Sequence, residues 1–164
     1  MSDLGTQGGT HTYAFAINDS GQIVGRAFSG SAEPAFLWQV GAMSDLGTLG
    51  GEQSGAWDIN EAGQVVGSAQ TASFVAHAFL WEAGEMTDLA PGDSRSSTAT
   101  AVNAAGHVVG NVNEEVTQWA FLWRDGAMLD LNALIPADSG WTLLRANDIN
   151  DAGQIVGYGW LEGF

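Results

Sequence analysis

Acidic side chains offer the first candidate chemistry. Asp148-Ile149-Asn150-Asp151-Ala152-Gly153 and Asp58-Ile59-Asn60-Glu61-Ala62-Gly63 both begin like a D-x-[DN]-x-[DN]-G calcium loop. Such a loop supplies oxygens at alternate positions and bends at its Gly. Both stretches put Ala where a third ligand is needed, and Gly159 stands where a bidentate Glu would follow Asp148. The corresponding stretches begin with Ala16 and Ala101, so the first carboxylate is not repeated. The pattern is that of a turn, and no metal ligand is assigned. A second acidic column, Asp3, Asp45, Asp88 and Asp130, recurs throughout the chain. A ring of such carboxylates could hold a cation, but without one the charges repel. The preferred reading is a side-chain acceptor that ties a strand end to a neighbouring turn.

Nucleophilic catalysis needs a base beside a nucleophile. His11, His77 and His107 fall at three different places in the sequence pattern, no G-x-S-x-G is present, and there is no Cys. Nineteen acids leave glycoside hydrolysis formally open, yet no pair stands out. No catalytic residue, enzyme activity or cofactor is expected. The seven Trp divide by position. Trp38, Trp81 and Trp123 share one repeated place and are assigned to the core. Trp57, Trp119, Trp141 and Trp160 do not, and are the candidates for contact with sugar faces or with another protein.

These residues must be positioned by a repeated hairpin. Ala14–Gly25, Ala56–Gly67, Ala99–Gly110 and Ala146–Gly157 each read as an apolar run, a four-residue break from Asn to Gly, and a second apolar run. Asn can bond its own backbone, and Gly can take the positive φ that such a turn requires. In one unit, strand A is expected over Ala56–Ile59, strand B over Gln64–Ala69, strand C over Ala78–Glu82 and strand D over Met86–Leu89. Gly47–Gly51 is expected as a loop. The motif M-x-D-L begins at Met1, Met43, Met86 and Met128, in steps of 42, 43 and 42. Four short strands at this period are the spacing of propeller blades. The expected fold is therefore all-β: antiparallel four-stranded units of about 42 residues, arranged as β-propeller blades, with a β-solenoid-like stack as the alternative. The 1–164 chain is one repeat domain with units at approximately 1–42, 43–85, 86–127 and 128–164, the last incomplete.

Charge narrows the partners. Four Arg, no Lys and a net charge of −15 oppose any phosphate-tracking surface, so nucleic acid is not an expected partner. No run of 18 apolar residues occurs, so no membrane insertion is expected, and no signal peptide begins the chain.

Ala35 and Ala120 follow Gln22 and His107 by 13 residues, which puts the fourth strand C beyond Phe164. Either the chain is a piece of a longer array or another molecule supplies that strand. An unpaired strand is a template for pairing, so an assembly edge is expected at Met1, Asp3 and Leu4 and at Tyr158, Trp160 and Phe164. The leading functional expectation is a non-enzymatic scaffold that self-associates through open β-edges into a ring or filament. The alternative is a carbohydrate- or protein-binding module using the variable loops and the unshared Trp residues.

The motifs resemble those of the bacterial extracellular HAF repeat family. His77-Ala78-Phe79 is followed by Leu80-Trp81, with M-x-D-L-G-T-L-G-G at Met43–Gly51 and I-N-x-x-G-Q-V-V-G at Ile59–Gly67. The resemblance covers the whole chain and implies an extracellular or cell-surface repeat protein. It brings no catalytic residues. Pro34 and Trp119 replace the His elsewhere, so that His is not an obligatory ligand.

Overall fold

The computed structural model describes residues 3–6, 8–28, 33–114 and 117–162; Met1 and Phe164 lie outside these described residues. The repeated hairpin forms as its composition dictates. Asn60 N donates to Gln64 O at 3.1 Å and Gly63 N to Asn60 O at 3.0 Å. Gly63 takes φ +79°, where an L side chain is strained. Equivalent bonds close the turns at Asn18, Asn103 and Asn150.

Each turn joins the first two strands of an antiparallel meander. The first sheet holds β1 (His11–Ile17), β2 (Ile23–Phe28), β3 (Ala35–Gln39) and β4 (Ala42–Asp45). The second holds β5 (Gly50–Ile59), β6 (Val65–Thr71), β7 (Ala76–Glu82) and β8 (Glu85–Asp88). The third holds β9 (Ser96–Val102), β10 (Val108–Asn113), β11 (Gln118–Arg124) and β12 (Ala127–Asp130). A 3-10 turn at Leu131–Leu134 leads to a two-stranded sheet of β13 (Trp141–Ile149) and β14 (Ile155–Leu161). The all-β meander is thus as expected. The expected loop at Gly47–Gly51 is shorter than anticipated, because Gly50 already pairs with Thr71 and β5 starts there.

The β3–β4, β7–β8 and β11–β12 turns are two-residue loops in which both residues have positive φ: Val40-Gly41, Ala83-Gly84 and Asp125-Gly126. That is the type I′ conformation, which matches strand twist and favours Asn or Asp first. Val40 is the poorest of the three, being β-branched and almost wholly exposed. Val40→Asn is expected to stabilise the protein by about 1 kcal/mol, read as a higher chemical-denaturation midpoint.

The sheets pack face to face in chain order. Leu37 of β3 faces the second sheet together with Val24, while Phe79 of β7 faces back toward the first. Leu80 and Val66 face the third sheet, and Phe121 returns toward the second. Val109 and Leu122 face the fourth sheet. Consecutive apolar residues in the second and third strands therefore fill two interfaces at once, as two-sided burial requires.

Polar bonds set the sheet-to-sheet spacing. Asn18 Nδ2 donates to Asn60 O at 3.1 Å, Asn60 Nδ2 to Asn103 O at 2.9 Å, and Asn103 Nδ2 to Asn150 O at 3.2 Å. Each Asn Oδ1 also accepts the backbone N–H four residues on. The repeated Asn is thus both a turn former and a rung between neighbouring turns. Ser54 and Ser97 add similar ties by accepting from Ala35 N and Ala78 N, each at 2.8 Å.

Candidate functional site

The residues that looked most like catalytic or metal-binding groups serve the scaffold. Asp3, Asp45, Asp88 and Asp130 each accept, through Oδ1, the backbone N–H two residues on, at 2.8–2.9 Å. The column is a set of turn acceptors. His77 is buried, with Nδ1 2.8 Å from Asp88 Oδ2 and Nε2 2.9 Å from Asp93 O. Both ring nitrogens are engaged, which leaves neither for a substrate. Among the described residues, no group of three or more His, Asp or Glu is placed to hold a metal. Asp58 Oδ2 accepts Val102 N at 2.9 Å across the second and third sheets. Burial pushes its carboxyl pKa up, against that bond, and Asp148 adds repulsion.

The four unshared Trp residues do not converge. Trp119 lies on β11 beneath Arg95, whose guanidinium carbon is 5.5 Å from the ring centroid. Arg95 is itself clamped by Asp93 and Glu114 at 2.7 Å each. The guanidinium hydrogen-bonds Asp93 and holds its pKa down at about 2. Trp57 lies on β5. Trp141 and Trp160 lie on β13 and β14, both exposed. Trp160 lines a cleft with Thr142, Leu144 and residues of the β10–β11 loop. Of the expected assembly-edge residues, Tyr158 and Trp160 stand on β14, which has one hydrogen-bonded neighbour. Asp3 and Leu4 pair with no described strand, and Asp3 accepts the N–H of Gly5 as Asp45 at the end of β4 accepts that of Gly47.

Two surfaces emerge from the geometry. The first is a row of bulge residues. In the first strand of every sheet the pairing register slips by one residue, which leaves Phe15, Trp57, Thr100 and Asn147 unpaired. Phe15 and Trp57 meet with ring centroids 4.8 Å apart. Trp57, Thr100 and Asn147 share a cleft of about 310 Å³ with Thr98 and Arg145. Arg26 lies against Tyr13, Phe28 and Trp57 at 5.2–6.0 Å from their centroids. Arg26 Nε and Trp57 Nε1 are buried without a hydrogen-bond partner, and both residues line an adjoining cleft. Sequence reasoning found Trp57 but missed Phe15, Thr100 and Asn147. Their signal was available: all four follow the repeated Ala directly, at a place where the residue type is not repeated.

The second surface is the open side of the fourth sheet. A groove of about 500 Å³ runs between the third and fourth sheets, and its lining includes Ala120, Leu131, Trp141, Leu143, Ala146 and Gly157. Almost all of these residues are apolar. The expected binding residue Trp141 lies at this groove.

A family model described as "Protein of unknown function (DUF3466)" matches residues 50–162. No curated protein and no solved structure matches the chain.

Proposed function

The chain belongs to the DUF3466 family, and from that premise we propose that it is a non-enzymatic repeat scaffold that associates end to end. Its sheets serve as propeller blades, and the HAF-repeat resemblance supports an extracellular or cell-surface setting. The observation carrying this reading is the matched exposure of the two end sheets. Ile59, Val102 and Ile149 are buried against the preceding sheet, whereas their counterpart Ile17 is 65% exposed. Val24, Val66 and Val109 are fully buried against the following sheet, whereas their counterpart Val156 is 62% exposed. The outer face of the first sheet therefore has the character of a sheet awaiting a predecessor, and that of the fourth awaits a successor. Docking one on the other repeats the part of a contact made three times within the chain that the first two strands supply, since among the described residues the fourth sheet has no counterpart of Leu37, Leu80 and Leu122. Such a head-to-tail contact closes into a ring or continues as a filament.

Light scattering across a hundredfold concentration range tests the reading. The expected result is a mass that rises with concentration, and a fall toward the monomer in Val156→Asp. A monomer of 17.1 kDa throughout would sink it.

The bulge row supports a second reading, a glycan- or protein-binding surface. The aromatic cluster around Arg26, with two buried donors unpaired, is the observation in its favour.

A further inference from the structure

The cleft at the bulge row is walled by three successive sheets. Trp57 comes from β5, Thr98 and Thr100 from β9, and Arg145 and Asn147 from β13, around a volume of about 310 Å³. That is the size of a small-molecule site. The slipped register leaves Trp57, Thr100 and Asn147 outside their ladders. An Ala precedes each of the three, while the bulge residue itself differs from sheet to sheet. The fold therefore needs the bulge but not the side chain it carries.

The wall is in place before any ligand arrives. The Trp57 ring is braced by Phe15, 4.8 Å away between centroids, and lies close over Gly55, where a Cβ would come 3.1 Å from it. Thr100 gives its hydroxyl hydrogen to Ala146 O at 2.8 Å, so its oxygen is left to accept. Arg145 belongs to none of the ion pairs among the described residues, unlike Arg26 and Arg95. Asn147 is exposed and offers both a donor and an acceptor. A flat aromatic ring thus shares the cleft with hydroxyl, amide and guanidinium groups.

A pyranose has the matching chemistry. The C–H groups of one face stack on an aromatic ring, and the hydroxyls around the rim both donate and accept. Trp57 is the only apolar side chain among the lining residues, so the cluster of apolar anchors typical of a protein interface is missing here. Asp58 and Asp148 stand directly after Trp57 and Asn147, and the net charge of −15 repels a polyanionic glycan. We infer that this cleft is a subsite for a neutral pyranose residue of an oligosaccharide, its ring on Trp57 and its hydroxyls on Thr98, Thr100, Arg145 and Asn147. The inference rests on the reading of the bulge row as a binding surface and names its ligand class.

The probes are cellotriose, maltotriose and mannotriose, with trigalacturonate as the charged comparison, titrated at millimolar concentration into isotope-labelled protein and followed by NMR. Saturable binding of a neutral trisaccharide is expected, shifting the indole N–H signal of Trp57 and the side-chain amide signals of Asn147. Asn147→Ala changes an exposed residue. It should bind about fivefold more weakly, the worth of an ordinary hydrogen bond, with the thermal unfolding midpoint unmoved. Trp57→Ala should weaken binding at least about tenfold. Trp160→Ala, at another cleft, should leave it unchanged. Asn147→Ala carries the test by itself if Trp57→Ala proves unstable. Preference for trigalacturonate, or binding lost with Trp160→Ala, would overturn the inference. Silence of all the neutral sugars removes the saccharide and leaves the row to a protein partner. Sugar binding untouched by Asn147→Ala and Trp57→Ala removes the inference and the bulge-row surface together.

Discussion

Gly67→Ala is expected to destabilise the protein by more than about 3 kcal/mol, the range of severe core lesions. A Cβ at Gly67 would lie 1.9 Å from Gly55 O and 2.9 Å from the Phe79 ring. The first contact is with backbone and cannot be relieved by a rotamer change. Its cause is the bulge at Trp57, which slips the pairing between Ala56 and Asp58. Gly25, Gly110 and Gly157 meet the same obstacle at 1.9–2.1 Å from Tyr13 O, Thr98 O and Arg145 O. Gly84→Ala is the control: its built Cβ meets nothing within 4 Å, so the change adds only the strain of an L residue at φ +96°, about 1 kcal/mol. Urea unfolding should show a large loss of midpoint for Gly67→Ala and a much smaller one for Gly84→Ala. Comparable midpoints would mean that the bulge relaxes and that the Gly column has no steric basis.

Asn60→Ala is expected to cost about 3 kcal/mol, from buried groups left without partners. The side chain accepts from Ala62 N and Gln64 N and donates to Gln64 Oε1 and Asn103 O. Its removal strips one rung of the ladder between turns. The matched variant Asn150→Ala changes an exposed residue whose side-chain bonds reach only Gln154. Its expected cost is about 1 kcal/mol, that of an ordinary turn hydrogen bond. The difference between the two, measured by denaturant unfolding, reads the ladder separately from the turn. Equal losses would reduce the column to its local role.

Much of this was legible in the chain because its cause is local. Asn at the head of each turn and Gly at its end announce a hairpin through hydrogen bonding and positive φ, and all four hairpins form. The Asp column read correctly as turn acceptors, since the N–H it accepts lies two residues away. Repetition did the rest: a residue that recurs at one repeat position belongs to the scaffold, as Trp81, packed on the core formed with the first sheet, illustrates.

What the chain did not disclose depends on residues far apart in sequence. Trp57 was singled out alone, yet the bulge places it beside Phe15 and in one cleft with Thr100 and Asn147, contributed by three other strands. The second Gly of each unit looked like part of an apolar run, and only the slipped register shows a carbonyl pressed against it. The bond from Asn18 to Asn60 O spans 42 residues, so no turn propensity could announce it. The strands, their order and the turns follow from local sequence, apart from the start of β5 inside the expected Gly47–Gly51 loop, because backbone conformational preference and alternating burial act over a few residues. Which faces close and which stay open depends on the packing of one sheet on the next. Burial of Val24, Val66 and Val109, and exposure of Val156 in the same motif, reflect what lies across the sheet rather than the residue's neighbours in the chain.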